Sequence, residues 1–261
     1  MFVQIEVTTR CNYSCSYCAG RSMEQTDLSW EAFTNIVDEN PNARGFVIQG
    51  EGEPTLWPHF KDAVKLLRDK SFIVRTITNG TTIHGDMRTL IKDNFQEISI
   101  SIDTLDPGLS TKIGRPNLAK VLSNIAVLKS VAPLLRIKIM TVDFGQDLTD
   151  LKSWTKENRF GHLIQPLQQK ADYAVNYPKN TFPNVVTMHN NKPKSCSYLD
   201  SFLNNDTSFV FYNIKSDRLP CCFIKNNSAT TWPSASEVRD TLRNGGYNMH
   251  CSNCRHLQTT K

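Results

Sequence analysis

The chain has 261 residues, of which 39% are hydrophobic and 21% charged, with a formal net charge of +5. This is enough apolar material for one large domain, or for a domain with a small appendage. No apolar run approaches the ~18 residues of a membrane-spanning helix, and Lys and Arg are scattered rather than gathered into a tract. Neither a membrane protein nor a nucleic-acid binder is therefore expected.

Phe2 to Val7 alternates apolar and polar residues and predicts a strand. The loop Cys11-Asn-Tyr-Ser-Cys15-Ser-Tyr-Cys18 follows. Ser29 to Val37 has helical spacing, with Trp30, Phe33, Ile36 and Val37 on one face and Ser29 as N-cap. Gly45 to Gln49 reads as a second strand and runs straight into Gly50-Glu-Gly-Glu-Pro-Thr. A helix from about Pro58 to Lys70 carries Phe60, Val64 and Leu67 on one face. Phe72 to Thr78 is a third strand, closed by Asn79-Gly80. Asp86 to Asp93 is helical, and Gln96 to Ile102 is a fourth strand ending in Ser101 and Asp103. Asp106-Pro-Gly breaks the chain. Asn117 to Val131 is a helix with Val121, Leu122, Ile125 and Leu128 in phase. Leu135 to Val142 is a strand, Asp147 to Asn158 a helix, and His162 to Gln165 a strand.

Strand and helix thus alternate over residues 1–166, the pattern of a parallel sheet with right-handed crossovers. Six such units are too few for a closed eight-fold barrel, so the expected fold is α/β, a partial (β/α)6 TIM-like barrel. Ligands of such sheets sit at the carboxyl ends of the strands. The cysteine loop, the Gly-Glu loop, Asn79, Ser101 and Asp103 all fall on that rim.

Residues 167–195 are polar, include Tyr173, Tyr177, Pro178 and Pro183, and show no periodicity. They read as a connecting, substrate-facing segment. Ser208 to Asn213 and Arg218 to Cys221 flank a turn and predict a hairpin. Pro233 to Arg243 is a short helix stopped by Gly245-Gly246, and Cys251-Ser-Asn-Cys254 follows.

The eight cysteines form two sets: Cys11, Cys15 and Cys18, then Cys196, Cys221, Cys222, Cys251 and Cys254. A disulfide scaffold would spread them more evenly. No signal peptide stands ahead of the first strand, so a reducing, cytoplasmic location with two metal centres is expected. Three thiols spaced C-x3-C-x2-C on one loop suit a 4Fe–4S cluster that keeps one iron without a protein ligand. Zinc is the competing reading, but a structural zinc site wants four ligands. The nearest histidines, His59 and His84, are far along the chain.

The loop, the barrel pattern and the Gly-Glu-Pro segment together resemble the radical S-adenosylmethionine (SAM) enzymes. The resemblance spans roughly residues 2–166. It implies that Cys11, Cys15 and Cys18 hold the cluster, that Tyr17 is the aromatic residue before the last ligand, and that the open iron takes the amino and carboxylate groups of SAM. Gly52, Glu53 and Pro54 look like the family's Gly-Gly-Glu-Pro loop, with Glu51 where the first Gly usually stands. Glu53 would pair with the methionine ammonium. Asn79, Ser101, Asp103 and Arg115 are carried over as cofactor contacts. Cys196, Cys221, Cys251 and Cys254 resemble the single-cluster Twitch relative of the SPASM domain. That implies a second, auxiliary 4Fe–4S cluster within 196–261, with Cys222 buried beside it, exchanging with Cys221, or acting as a hydrogen-atom donor.

The implied reaction begins with one-electron cleavage of SAM to a 5′-deoxyadenosyl radical, which takes a hydrogen atom from the substrate. The electron comes from an external donor such as flavodoxin or ferredoxin. An oxidation that passes an electron to the auxiliary cluster is the leading expectation. An epimerase using Cys222, and a non-catalytic zinc protein, are the alternatives. The substrate is expected to be a small molecule, or a peptide delivered by a partner, because strand one begins at residue 2 with no peptide-recognition domain ahead of it.

Overall fold

A computed structural model describes residues 1–167, 195–204, 209–224, 233–246, 251, 254 and 256–258. Strands β1 (Phe2–Glu6), β2 (Gly45–Gln49), β3 (Ile73–Thr78), β4 (Glu97–Ser101), β5 (Arg136–Asp143) and β6 (Gly161–Pro166) stand side by side in chain order, each parallel to the next. Helices α1 (Trp30–Glu39), α2 (Phe60–Asp69), α3 (Gly85–Asn94), α4 (Pro107–Lys112), α5 (Leu118–Val131) and α6 (Thr149–Glu157) occupy the crossovers. The order is that of the expected partial barrel.

The helices form because their apolar residues recur at helical spacing and their ends are satisfied. Ser29 caps α1 by accepting from Ala32 N (3.1 Å), as the sequence predicts. Phe33, Ile36 and Val37 of α1, Phe60, Val64 and Leu67 of α2, and Val121, Ile125 and Leu128 of α5 are buried in one core. Their partners are the alternate strand residues Val3, Ile5, Phe46, Ile48, Val74, Ile98, Ile100, Ile137 and Ile139. Each such side chain contributes roughly 1.5–3 kcal/mol by burial. The opposite phase of the strands carries Gln4, Glu6, Gln49, Ser99 and Ser101 beside the apolar Val47, Ile77 and Met140, so the inner face is mixed and far more polar than the helix-facing one.

The sequence analysis missed α4, which it read only as a break. Asp106 starts it by accepting from Gly108 N (2.7 Å), with Pro107 in the first turn. It also missed the helix Ser197–Asn204 and the short antiparallel pair β7 (Ser195–Cys196) and β10 (Leu257–Gln258). The expected hairpin is present as β8 (Phe209–Tyr212) and β9 (Arg218–Leu219). Its first strand lies parallel to β1, with Phe2 opposite Phe209 and Ile5 opposite Tyr212, so it extends the barrel's own sheet. The helix Ala235–Arg243 opens with a capping box between Ser234 and Glu237. The four tyrosines and prolines singled out within 167–195 lie outside the described residues. Among the described residues no helix is long and apolar enough to cross a membrane.

Candidate active site

At the carboxyl ends of β1 to β4 the loops enclose a cleft of about 250 Å³. Cys11, Cys15 and Cys18 line it, together with Tyr17, Gly52, Glu53, Asn79, Ser101 and Arg115. Nine of the sequence-predicted residues of the barrel thus share one site. The sequence analysis missed Gln49, at the end of β2, which also lines the cleft; its buried Oε1 has no hydrogen-bond partner.

The cysteine loop is held from three sides. On the first, the loop after β2 lies flat against its entry: Gly52 N donates to Thr8 O (3.1 Å) and Glu53 N to Arg10 O (2.8 Å). A Cβ on Gly52 would sit 2.3 Å from Arg10 O and 2.7 Å from Thr8 O, so only glycine permits this approach. On the second, Asn12 Nδ2 donates to Thr81 Oγ1 (2.8 Å), Thr81 Oγ1 donates to Asn79 Oδ1 (2.7 Å), and Asn79 Nδ2 donates to Asn12 Oδ1 (2.7 Å). This closed ring ties the cysteine loop to the loop after β3. Asn124, buried on α5, steadies that loop by donating to Gly80 O (2.9 Å). On the third, Ser14 N and Ser16 N donate to the carbonyls of Gly114 and Ile113 (3.1 and 3.0 Å).

Glu53 is 2% exposed. Its Oε1 accepts from Thr55 Oγ1 (2.6 Å) and Thr78 Oγ1 (2.6 Å), and its Oε2 from Asn79 N (2.6 Å). Burial pushes its carboxyl above the usual range, and these donors pull the other way. Its remaining acceptor capacity is on Oε2. Pro54 begins the short turn that Glu53 caps and is itself buried. Glu6, at the end of β1, accepts from Glu51 N (3.0 Å) and Ile214 N (3.2 Å), joining the Gly-Glu loop to the turn after β8.

Asp103 is placed behind the cleft rather than on its wall. It is 2% exposed, its Oδ1 accepts from Val142 N (2.7 Å), and its Oδ2 accepts from the Tyr17 hydroxyl and forms an ion pair with Arg115, 3.0 Å from Nε. Arg115 is not a surface charge: its side chain is 13% exposed, and Nη1 donates to Ser101 O (2.8 Å). Burial works against its charge, but Asp103, Tyr17 and Cys15 hold it firmly protonated. Burial also raises the Cys11 thiol, and that of Cys18 to about 11. As bare thiols both are neutral, so a thiophilic metal centre is what would draw them into the thiolate form.

The donor set fits an iron–sulfur cluster with one open iron. Among the described residues, no three Cys, His, Asp or Glu side chains converge as a single-ion site. The three thiols line one cleft of about 250 Å³ together with Gly50 and Asn79.

A second pocket, of about 20 Å³, is lined by Cys196, Cys221, Cys251 and Cys254. Local structure gathers them. Cys196 ends β7 opposite Leu257, and its Sγ accepts from Leu199 N (3.5 Å) at the start of the next helix. Cys254 N donates to Cys251 O (3.0 Å). Cys222 lines neither pocket; its Sγ is 3.2 Å from Tyr198 Oη. The sequence analysis missed His256, which lines the four-cysteine pocket and stacks on Phe223 (ring centroids 5.0 Å apart).

Comparisons with known proteins agree with this layout. The chain is 26% identical over 187 residues to an S-adenosylmethionine-dependent nucleotide dehydratase of Psychrobacter lutiphocae, covering 61% of this chain and 63% of that one. Its fold is similar to Streptococcus suis SuiB bound to its precursor peptide SuiA, with a TM-score of 0.69 at 16% identity over 94% of this chain and 66% of that one. It is also similar to BtrN in complex with AdoMet and 2-DOIA, with a TM-score of 0.56 at 13% identity over 97% of this chain and 92% of that one. The chain therefore spans just under two thirds of the length of the dehydratase and of SuiB. The profile of the Radical SAM superfamily matches residues 5–153, more than half of the chain, and this protein belongs to that superfamily.

Proposed function

We propose that this chain is a radical SAM oxidoreductase with two 4Fe–4S clusters. The first is held by Cys11, Cys15 and Cys18 in the barrel. The second is held by Cys196, Cys221, Cys251 and Cys254 in a Twitch-like unit spanning 196–261, joined to the 1–166 barrel through 167–195. The single observation that carries the reading is that seven of the eight cysteines line two separate pockets, three in one and four in the other.

The first cluster and SAM, when bound, supply a 5′-deoxyadenosyl radical that takes a hydrogen atom from the substrate. The second would accept the electron that the substrate radical then loses. The protein's part is binding and exclusion of water. Glu53 would receive the methionine ammonium, while Thr55 and Thr78 fix its Oε1. Asn79 and Ser101, on adjacent strand ends, line the same cleft and would contact the rest of SAM. Tyr17 closes the wall beside Cys15 and Cys18.

The substrate is a small molecule or a peptide, and the electron donor is an external protein of the flavodoxin or ferredoxin kind. The named relatives support both substrate kinds: the dehydratase is a nucleotide enzyme, and SuiB is matched with its precursor peptide. The position of Cys222 against Tyr198, outside the cleft lining, supports oxidation over an epimerase that uses this thiol.

The test is anaerobic purification with iron and sulfide analysis, followed by incubation with SAM and dithionite. The expected result is roughly eight irons per chain, four for each cluster, and 5′-deoxyadenosine in the product. Stoichiometric zinc without iron would refute it.

A further inference from the structure

One polar side chain on the cleft wall is not used by this mechanism. Gln49 is the last residue of β2 and stands opposite Glu6 of β1. Its backbone is engaged, the carbonyl accepting from Val7 N (3.1 Å). Its side chain lines the cleft beside the three thiols, and Oε1 is buried with no hydrogen-bond partner among the described residues. The polar groups around it are committed to one another. Glu53 accepts from Thr55, Thr78 and Asn79 N. Asn79 closes its ring with Asn12 and Thr81, and Glu6 accepts from Glu51 N and Ile214 N.

A buried acceptor without a donor destabilises a fold and calls for a reason. Packing supplies none, since Val47, two residues earlier on the same face of β2, is apolar and buried. A bound ligand does supply one. The terminal amide torsion of glutamine is broad, and turning Oε1 toward the cleft breaks no hydrogen bond. Size decides which ligand that is. The three thiols open into the same 250 Å³, so the cluster and the SAM on its open iron are the groups Gln49 meets. The ~300–1,000 Å³ of a pocket for a whole small-molecule ligand is not left over there for the substrate.

We propose that Gln49 is a SAM-binding residue, its Oε1 accepting from an N–H or O–H donor of the bound cofactor. The proposal rests on the reading of Cys11, Cys15 and Cys18 as cluster ligands. It predicts that the acceptor weakens the protein without SAM and strengthens the complex with it, the trade of stability for function seen at binding sites.

The test is calorimetric SAM binding by the reconstituted protein and by Gln49→Leu and Gln49→Met, with iron content and the SAM-free melting temperature measured in parallel. Both variants fill the space of the side chain and remove the acceptor. They are expected to keep their iron, to melt no lower than the unmodified protein without SAM, and to bind SAM about five- to tenfold more weakly, the loss of one hydrogen bond. SAM affinity within about twofold of the unmodified protein in both variants would overturn the proposal. So would a lower SAM-free melting temperature in both, which would make Gln49 a packing residue. Loss of the barrel iron from both would overturn it as well, by placing the side chain in support of the cluster and not of SAM. Unmodified protein that binds no iron would instead overturn the proposed function.

Discussion

Gly52→Ala is the sharpest test of how the site is assembled. The added Cβ would sit 2.3 Å from Arg10 O, about 1.1 Å inside the 3.4 Å at which ordinary contact begins. The opposing atoms are backbone, so no side chain can swing away. The loop after β2 must lift from the cysteine loop, which breaks Gly52 N to Thr8 O and Glu53 N to Arg10 O. Two backbone hydrogen bonds at about 1 kcal/mol each, with about 1–3 kcal/mol of overpacking strain, give a loss of about 3–5 kcal/mol. Glu53 and the cysteine loop then separate by about 1 Å, a misplacement of the size that costs roughly 100-fold in rate. Urea denaturation should show a lower midpoint with an unchanged slope, and 5′-deoxyadenosine formation should fall with it. Gly161→Ala is the control, because its Cβ would meet only the Lys138 side chain at ordinary distance, 3.4 Å or more. It should stay within about 0.5 kcal/mol of the unmodified protein. A Gly52→Ala protein with unaltered stability and SAM cleavage would refute the reasoning.

Other expectations follow from individual contacts. Asn124→Ala leaves the Gly80 carbonyl without its buried donor, so it should cost about 1–3 kcal/mol and weaken SAM binding measured by calorimetry. Cys221→Ala should lose roughly four irons per chain, and Cys222→Ala none, by iron analysis, if each cluster carries four. Burial holds the His162 imidazole below its usual 6.5, where Thr141 and Thr155 hydrogen-bond it. The unfolded chain takes up the proton first, so the contribution is present above pH 6.5 and is lost as the pH falls from there through the folded pKa. His162→Gln should flatten the pH dependence of the denaturation midpoint in that window; an unchanged slope would count against it.

Much of the site was legible because its signals are local. The spacing of Cys11, Cys15 and Cys18 is a property of one loop, and Glu53, Asn79 and Ser101 each follow a strand whose alternation is plain. Asn124 carried a readable signal that went unused: a polar residue in the apolar phase of α5, between Val121 and Leu128. Glu6 carried another, an acid at the inner end of an apolar strand. Asp103 shows the limit. Its place after β4 marked it as a rim residue, and only the packing of Tyr17, Arg115 and Val142 around it turned its carboxylate away from the cleft.

By itself the sequence determined the alternation of strand and helix, the direction of the rim and the grouping of the cysteines, since each depends on residues a few positions apart. Tertiary structure alone decided the rest. It set β8 beside β1 through pairs more than two hundred residues apart. It brought Cys196 to Cys254 through the β7–β10 pair, and it turned Cys222 aside toward Tyr198 while its neighbour Cys221 faces the pocket. Adjacent residues cannot be told apart by spacing, and which of two neighbouring thiols points inward depends on the partners that long-range folding supplies.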